Sequence, residues 1–358
     1  MKILILANND VGLYKFRREL IQEFLKDNEV IISLPYGEMV DLLIKEGCQF
    51  IETPIDRRGI NPLTDIKLIL MYFKLLQTVK PDLVITYTIK PNVYGGIICR
   101  VLKTKYAMNI TGLGTAFESD NWLKKLVISL YKVAAKKAKV VFFENSENER
   151  IFLNNRIIKS QQAILLNGAG VNLDYFSYQD YPRNDVFRFL FIGRVMKEKG
   201  VDELFLAMKR LTKEYDCCLD VVGPFEEDYS EKIEQYQNDG WLYYHGFQDD
   251  VRPYIKQCDC FVLPSYHEGM ANTNLESAAS GRPVITTNIP GCKESVQDGI
   301  SGLLCESKDV DSLYSVMKKM AEMTFQQLEN MGINGRKHME DHFDKAIVVK
   351  NTISKLVL

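Results

Sequence analysis

A chain of 358 residues is long for a single hydrophobic core, so two domains are the natural expectation. Hydrophobic residues at 46% and charged residues at 26% are those of a soluble globular protein. A net charge of -2 excludes an overall bias toward nucleic acid, yet residues 1–170 carry a net +7 and the remainder -9, which points the first half toward something anionic.

From the N-terminus, apolar strand alternates with amphipathic helix, the pattern of parallel sheets covered by helices. Strands are predicted over 2–7, 29–34, 49–53, 83–87, 106–110, 140–144 and 163–166, and helices over 14–26, 63–79, 91–102 and 123–137. Asn167-Gly168-Ala169-Gly170 then opens a polar stretch that runs to Asn184 and reads as the domain junction. The alternation restarts with strands over 187–192, 218–222, 242–245, 260–263 and 283–286 and helices over 200–214, 229–238, 251–257 and 274–280. Helices over 310–323, 325–342 and 345–358 close the chain. The expected architecture is two Rossmann-like, doubly wound α/β domains, 1–168 and 169–344, facing each other across a cleft.

The eight cysteines include no Cys-x-x-Cys pair, and the histidines do not cluster with them, so buried reduced thiols in a cytoplasmic protein are expected. The best apolar stretch, 68–73, falls far short of the ~20 residues that cross a membrane. The apolar run at 2–7 meets Asn8-Asn9-Asp10 at once and reads as a first buried strand rather than a leader.

The richest segment is 265–304. The strand ending at Pro264 leads to Glu268-Gly-Met-Ala-Asn-Thr-Asn-Leu-Glu276, two carboxylates with seven residues between them, the second on a helix. Spacing alone is matched by chance on many solvated helix faces. Strand, glycine loop and helix N-terminus together make an anion site, because the first helical N–H groups lack partners and carry partial positive charge. Acids on either side of a bound phosphate can grip sugar hydroxyls. Upstream, Gly193-Arg194 follows a strand and Lys199-Gly200 precedes a helix.

On these residues the chain resembles retaining glycosyltransferases of the GT-B fold, family 4, and among them the bacterial capsule, O-antigen and exopolysaccharide enzymes. The resemblance is strongest from 187 to 304 and extends in weaker form over the first half. It implies that the C-terminal helix, 345–358, crosses back to the first domain. It places Arg194 and Lys199 on the donor diphosphate, where two cations stabilise the leaving group more in the transition state than in the ground state. It assigns Glu268 to the donor sugar and, with the two cations, to the reacting centre. Glu276 would take the ribose hydroxyls, and the backbone of Gly269, Met270, Ala271, Asn272, Thr273 and Asn274 the sugar and diphosphate. The base would sit near His245-Gly246-Phe247, held mostly by backbone.

On the other wall, Gly12 would let backbone approach the donor phosphate, or is a plain turn glycine. Asn9, Asp10, Lys90 and Thr111 are acceptor-side candidates. Gly112-x-Gly114 is a weak dinucleotide signal, because Phe117 follows and the acidic partner is missing, so it reads as cleft-lining loop. Many family members carry a first-domain histidine, but His245, His267, His338 and His342 all lie in the second half, which leaves Thr111 or a backbone group in that place. No metal is expected, since Asp309-Val-Asp311 opens a helix and capping explains it. No side chain stands out as a covalent nucleophile, so a front-face mechanism fits.

Residues 122–139 set six lysines among apolar residues, with Trp122, Leu123, Leu126, Leu130 and Val133 at spacings that share a helix face. Such a helix either packs on the core with solvated lysines or lies on an anionic membrane. The implied activity is metal-independent transfer, with retention, from a nucleotide sugar to a lipid-linked saccharide in cell-surface polysaccharide synthesis. By family tendency the donor is a UDP-hexose or UDP-N-acetylhexosamine. The place is the cytoplasm, peripheral at the inner membrane face. A UDP-sugar epimerase on the same fold and a non-catalytic sugar-nucleotide-binding partner subunit are the alternatives.

Overall fold

The computed structural model describes residues 1–56, 61–113 and 122–356. The chain forms two compact units, Met1–Ala169 with Ala346–Leu358, and Gly170–Lys345.

In the first unit the order is β1 (Lys2–Leu6), α1 (Asp10–Leu25), β2 (Glu29–Leu34), α2 (Glu38–Lys45), β3 (Gln49–Glu52), α3 (Pro62–Val79) and β4 (Leu83–Tyr87). A π-helical turn, Pro91–Gly95, runs into α4 (Gly96–Leu102), followed by β5 (Tyr106–Ile110), α5 (Trp122–Ala135), β6 (Val140–Phe143), α6 (Ser146–Asn154) and β7 (Ala163–Leu165). The seven strands form one parallel sheet in the order β3-β2-β1-β4-β5-β6-β7. Its inner strands are largely apolar because both faces are covered, whereas the edge strand β3 is mostly exposed. Leu4, Leu6 and Val84 point into one apolar layer, and Ile3, Ile5, Leu83 and Ile85 into the other. The last helix, α13 (Lys345–Leu356), contributes Val349 and Leu356 to that second layer.

The predicted helix over 91–102 opens as a π turn for a local reason. The Asn92 side chain is buried, donating from Nδ2 to Asn109 O at 2.8 Å and accepting from the Thr86 hydroxyl at 2.5 Å. Gly95 and Gly96 then lie so close to the sheet that an added Cβ would come within 2.8 Å of Leu6 and 2.3 Å of Met108. Helices α2 and α6 and one strand of the second sheet lie in stretches read from sequence as connection. In α6 the polar run SENERIFLN hides its period, although Asn145 caps it by accepting from Asn148 N at 2.9 Å.

The second unit follows with β8 (Phe187–Ile192), α7 (Val201–Leu211), β9 (Cys217–Val222), α8 (Ser230–Asn238), β10 (Leu242–Tyr244) and α9 (Arg252–Gln257). It continues with β11 (Cys260–Leu263), α10 (Asn272–Ala279), β12 (Val284–Thr287), β13 (Gly302–Cys305), α11 (Val310–Ala321) and α12 (Phe325–His342). Six parallel strands are ordered β10-β9-β8-β11-β12-β13. All eight cysteines are buried with free thiols.

One buried cation anchors this unit. The Arg282 side chain is wholly buried and donates to five backbone carbonyls: Ile255, Gln179, Asp180, Lys256 and Gly281. It thereby ties the segment leading into β8 to the C-terminal turn of α9. Arg282→Lys offers three donors for these five acceptors and should destabilise the unit by about 3 to 5 kcal/mol. Urea unfolding followed at buried Trp241, in a Trp122→Phe background, measures this, and a loss below about 1 kcal/mol would contradict the anchoring role.

Candidate functional site

In the second sheet the chain runs outward from β8 to β10 and then returns to place β11 beside β8. The connections leaving β8 and β11 diverge to opposite faces and open a crevice at the strands' carboxyl ends, where doubly wound sheets bind ligands. Those connections are residues 193–200 and 264–271, which carry Arg194, Lys199, Glu268, Gly269, Met270 and Ala271 of the predicted donor residues.

The two loops are tied together. Gly200 has φ 72°, and a Cβ there would lie 2.1 Å from Pro264 O, so only glycine permits the approach. Tyr266 N donates to Glu198 O at 2.9 Å, and the Tyr266 hydroxyl donates to the Glu203 carboxylate at 2.7 Å. Lys199 Nζ pairs with Glu268 Oε1. The buried Ser265 hydroxyl donates to the same oxygen at 2.8 Å. Side-chain exposures of 19% for Lys199 and 13% for Glu268 make this a sheltered pair rather than a surface ion pair. Arg194 points elsewhere, to Glu226 at 3.2 Å, in the loop after β9. Bonds from Val195 N to Pro224 O and from Glu226 N to Val195 O hold those loops in register.

Helix α10 is buried except along Asn272, Thr273 and Glu276, which share its outward stripe. The second acid thus lies one turn behind the first helical N–H groups. Asn272 Oδ1 is buried with no partner among the described residues, an open acceptor at that stripe. Three of the predicted donor residues behave differently. Ala271 N donates to Gly291 O at 2.7 Å, and Asn274 N to Ala271 O at 3.0 Å, so both N–H groups are spent inside the fold. The Asn274 side chain points inward, with Nδ2 donating to Thr286 Oγ1 and Ser295 Oγ at 3.0 Å each. Met270 is buried in the apolar core. Ser265, Glu226 and Gly291 went unremarked in the sequence. Only Gly291, in an Ile-Pro-Gly turn, carried a local signal.

Beside β10, Phe247 is exposed, and the backbone around it is ordered by side chains. Buried Asp220 accepts from Arg188 at 2.7 Å and bonds His245 Nε2 at 2.7 Å, while Gln248 Nε2 donates to His245 O at 2.7 Å.

The first sheet reverses between β1 and β4, which brings residues 7–10 beside 88–90. Here the structure gives several predicted residues internal work. Asn9 is the N-cap of α1, accepting from Gly12 N at 2.5 Å. A Cβ on Gly12 would lie 2.9 Å from that cap oxygen, so glycine makes room for the cap. Asp10 Oδ2 accepts from Met39 N at 3.1 Å, across from the start of α2. Lys90 pairs with Asp65 at 2.8 Å, and the Tyr94 hydroxyl donates to the same carboxylate at 2.8 Å. Thr88, β-branched, is held at φ 70°, an uncommon conformation for such a side chain. Arg17, Glu144 and Tyr87 form a buried group beneath this edge, unread in the sequence. Burial opposes the Arg17 charge, but Glu144 and Tyr87 more than offset it and raise its pKa. Thr111 follows β5, half-buried, and Gly112 has φ 147°. Gly114 and Phe117 lie outside the described residues. In the second unit Asp309 caps α11, accepting from Ser312 N at 2.9 Å, and Asp311 pairs with Arg210.

Helix α5 corrects one expectation. Leu123 and Leu130 pack against the core, whereas Trp122, Leu126 and Val133 stay exposed among Lys125, Lys132 and Lys136. The five apolar residues therefore divide between two faces. Among the described residues no helix is long and apolar enough to cross a membrane.

Known proteins match this geometry along the chain. A family model described as Glycosyl transferases group 1 matches residues 179–338, and one described as Glycosyl transferase 4-like matches residues 2–145. The chain is 27% identical over 341 residues, 90% of both chains, to the N,N'-diacetylbacillosaminyl-diphospho-undecaprenol alpha-1,3-N-acetylgalactosaminyltransferase of Campylobacter jejuni. It is 27% identical over 333 residues, 86% of this chain and 84% of the relative, to the UDP-Gal:alpha-D-GlcNAc-diphosphoundecaprenol alpha-1,3-galactosyltransferase of Escherichia coli. Its fold matches the crystal structure of Anabaena Alr3699/HepE in complex with UDP and glucose, with a TM-score of 0.83 over 99% of both chains at 17% identity. With both halves matched and the two sheets wound as GT-B domains, the chain belongs to the glycosyltransferases of family 4.

Proposed function

We propose that this glycosyltransferase moves a hexosyl or N-acetylhexosaminyl group from a UDP-sugar to a diphosphoundecaprenol-linked saccharide, with retention and without a metal ion. The observation that carries the donor site is the sheltered Lys199–Glu268–Ser265 group at the β8/β11 switch, beside the stripe of Asn272, Thr273 and Glu276. The acceptor class rests on the Campylobacter and Escherichia relatives, both named for diphosphoundecaprenol-linked substrates.

In the proposed reaction Lys199 exchanges its carboxylate partner for the diphosphate, and Arg194 leaves Glu226 to join it. The bond from the anomeric carbon to the phosphate oxygen breaks, and the electron pair leaves with UDP. The acceptor hydroxyl oxygen bonds the anomeric carbon from the same face and passes its proton to the departing phosphate. The two cations offset charge that grows on the leaving group, which lowers the barrier itself. Glu268, freed of Lys199 and held by Ser265, grips donor-sugar hydroxyls, and Glu276 the ribose.

A lipid-linked acceptor would draw the protein to an anionic membrane surface, and two helices suit that. Leu63, Ile66 and Leu70 of α3 and Trp122, Leu126 and Val133 of α5 are exposed. Both helices pack on the π turn and α4, so they flank one face of the first unit. Lys67, Lys74, Lys125 and Lys132 stand among these residues, and all four are exposed. Apolar insertion with lysines at headgroup level follows from such a face.

Turnover of UDP-, GDP- and ADP-sugars, with a synthetic diphosphoprenyl saccharide as acceptor, tests the reaction. Glu268→Ala and Arg194→Ala should each lower kcat/KM by about 10²-fold or more. An inverted anomeric configuration in the product, read by NMR, would overturn retention. Cosedimentation should show binding to phosphatidylglycerol vesicles and little to phosphatidylcholine ones, reduced by Lys125→Glu with Lys132→Glu. Equal, negligible binding to both would sink the membrane reading.

A further inference from the structure

The donor loop 264–271 is braced from behind by the turn after β12, residues 288–296, and the geometry points to Glu294 as the positioning residue of that brace. The inference rests on the donor site proposed above and adds to it a residue that does not touch the donor. Glu294 Oε2 accepts the N–H of Gly291 at 2.7 Å, which closes the turn on itself. Gly291 O accepts the N–H of Ala271 at 2.7 Å, at the last residue before α10. Gly291 has φ 86°, and a Cβ there would lie 2.5 Å from Glu268 O and 2.8 Å from Gly269 O, so turn and loop are in backbone contact. A second tie joins Asn274 Nδ2 to Ser295 Oγ at 3.0 Å, between side chains exposed by 0% and 1%. On the far side, His338 Nε2 of α12 bonds Glu294 O at 2.9 Å and pins the turn to that helix.

The carboxylate of Glu294 fixes the turn whose Gly291 carbonyl holds Ala271, and so helps to set where the loop from Glu268 enters α10. A misplacement of ~1 Å at such a site can cost ~10²-fold in rate. Without Glu294 the Gly291 N–H loses its acceptor and the turn can open.

Hydrogen–deuterium exchange over 268–275, together with donor kinetics, tests this on Glu294→Ala, Glu294→Gln and Glu294→Asp. The alanine variant should exchange faster in that segment and lose about tenfold or more in kcat/KM, with unchanged circular dichroism and a Tm lowered by no more than a few degrees. Glutamine keeps a carbonyl oxygen within reach of Gly291 and should restore both readouts to within about threefold of wild type. Aspartate retracts the oxygen by one methylene and should raise exchange, which preserves the test if the alanine variant does not fold. Unchanged exchange in the alanine or aspartate variant, or a glutamine variant as impaired as alanine, overturns the inference. If the wild type turns over no nucleotide sugar, the donor assignment falls, and the exchange comparison still decides the brace.

Discussion

In the second sheet β8 and β11 lie side by side although β9 and β10 come between them in the chain, and the candidate site depends on that adjacency. Parallel strands need crossover helices, and a sheet that grows first one way and then the other sends successive crossovers to opposite faces. The two loops at the reversal have no helix between them. Their backbones meet at Gly200 and Pro264, and their side chains meet at Lys199 and Glu268. The same reversal in the first sheet sets residues 7–10 beside 88–90, so each unit carries one crevice of the same construction.

The charges in the candidate site are arranged in pairs. Lys199 and Glu268 share a sheltered contact, and Arg194 and Glu226 a more exposed one. Each cation is thus already matched to a carboxylate. In the proposed reaction a diphosphate competes with these carboxylates for both cations, so its binding and the release of Glu268 toward a sugar are one event. Arg282 shows the contrasting use of a cation. Its five carbonyl partners are fixed backbone, and burial lowers its pKa although Asp259 and nearby phenols and thiols act to raise it. That arrangement holds structure and has nothing to exchange.

Much of the fold was legible because its signals are local. Continuous apolar runs marked the buried parallel strands, and the Asn-Gly segment marked the break in alternation. Where local period was weak, elements were missed: α6 is polar for most of its length, and β13 is four residues following a turn. The glycines were legible as special without revealing why. Gly12 makes room for a cap oxygen, whereas Gly200 and Gly291 allow backbone-to-backbone approach. The glycosyltransferase relatives favour transfer over the epimerase and silent-subunit alternatives that the residues alone left open.

The sequence by itself determined the alternation of strand and helix, the two acids flanking a glycine loop, and the cations that open α7. These follow from periodicity and turn chemistry within a few residues, which no distant contact alters. Tertiary structure decided which charge meets which. Lys199 and Glu268 are 69 residues apart, and Arg17 and Glu144 are 127 apart. Their pairing follows from strand order, which periodicity does not encode. It also decided direction: Asn274 turned inward to Ser295, Asn9 to the start of α1, and the apolar residues of α5 divided between core and solvent. A side chain's role at a helix end depends on what the neighbouring strand places against it, and that neighbour is known only once the sheet has closed.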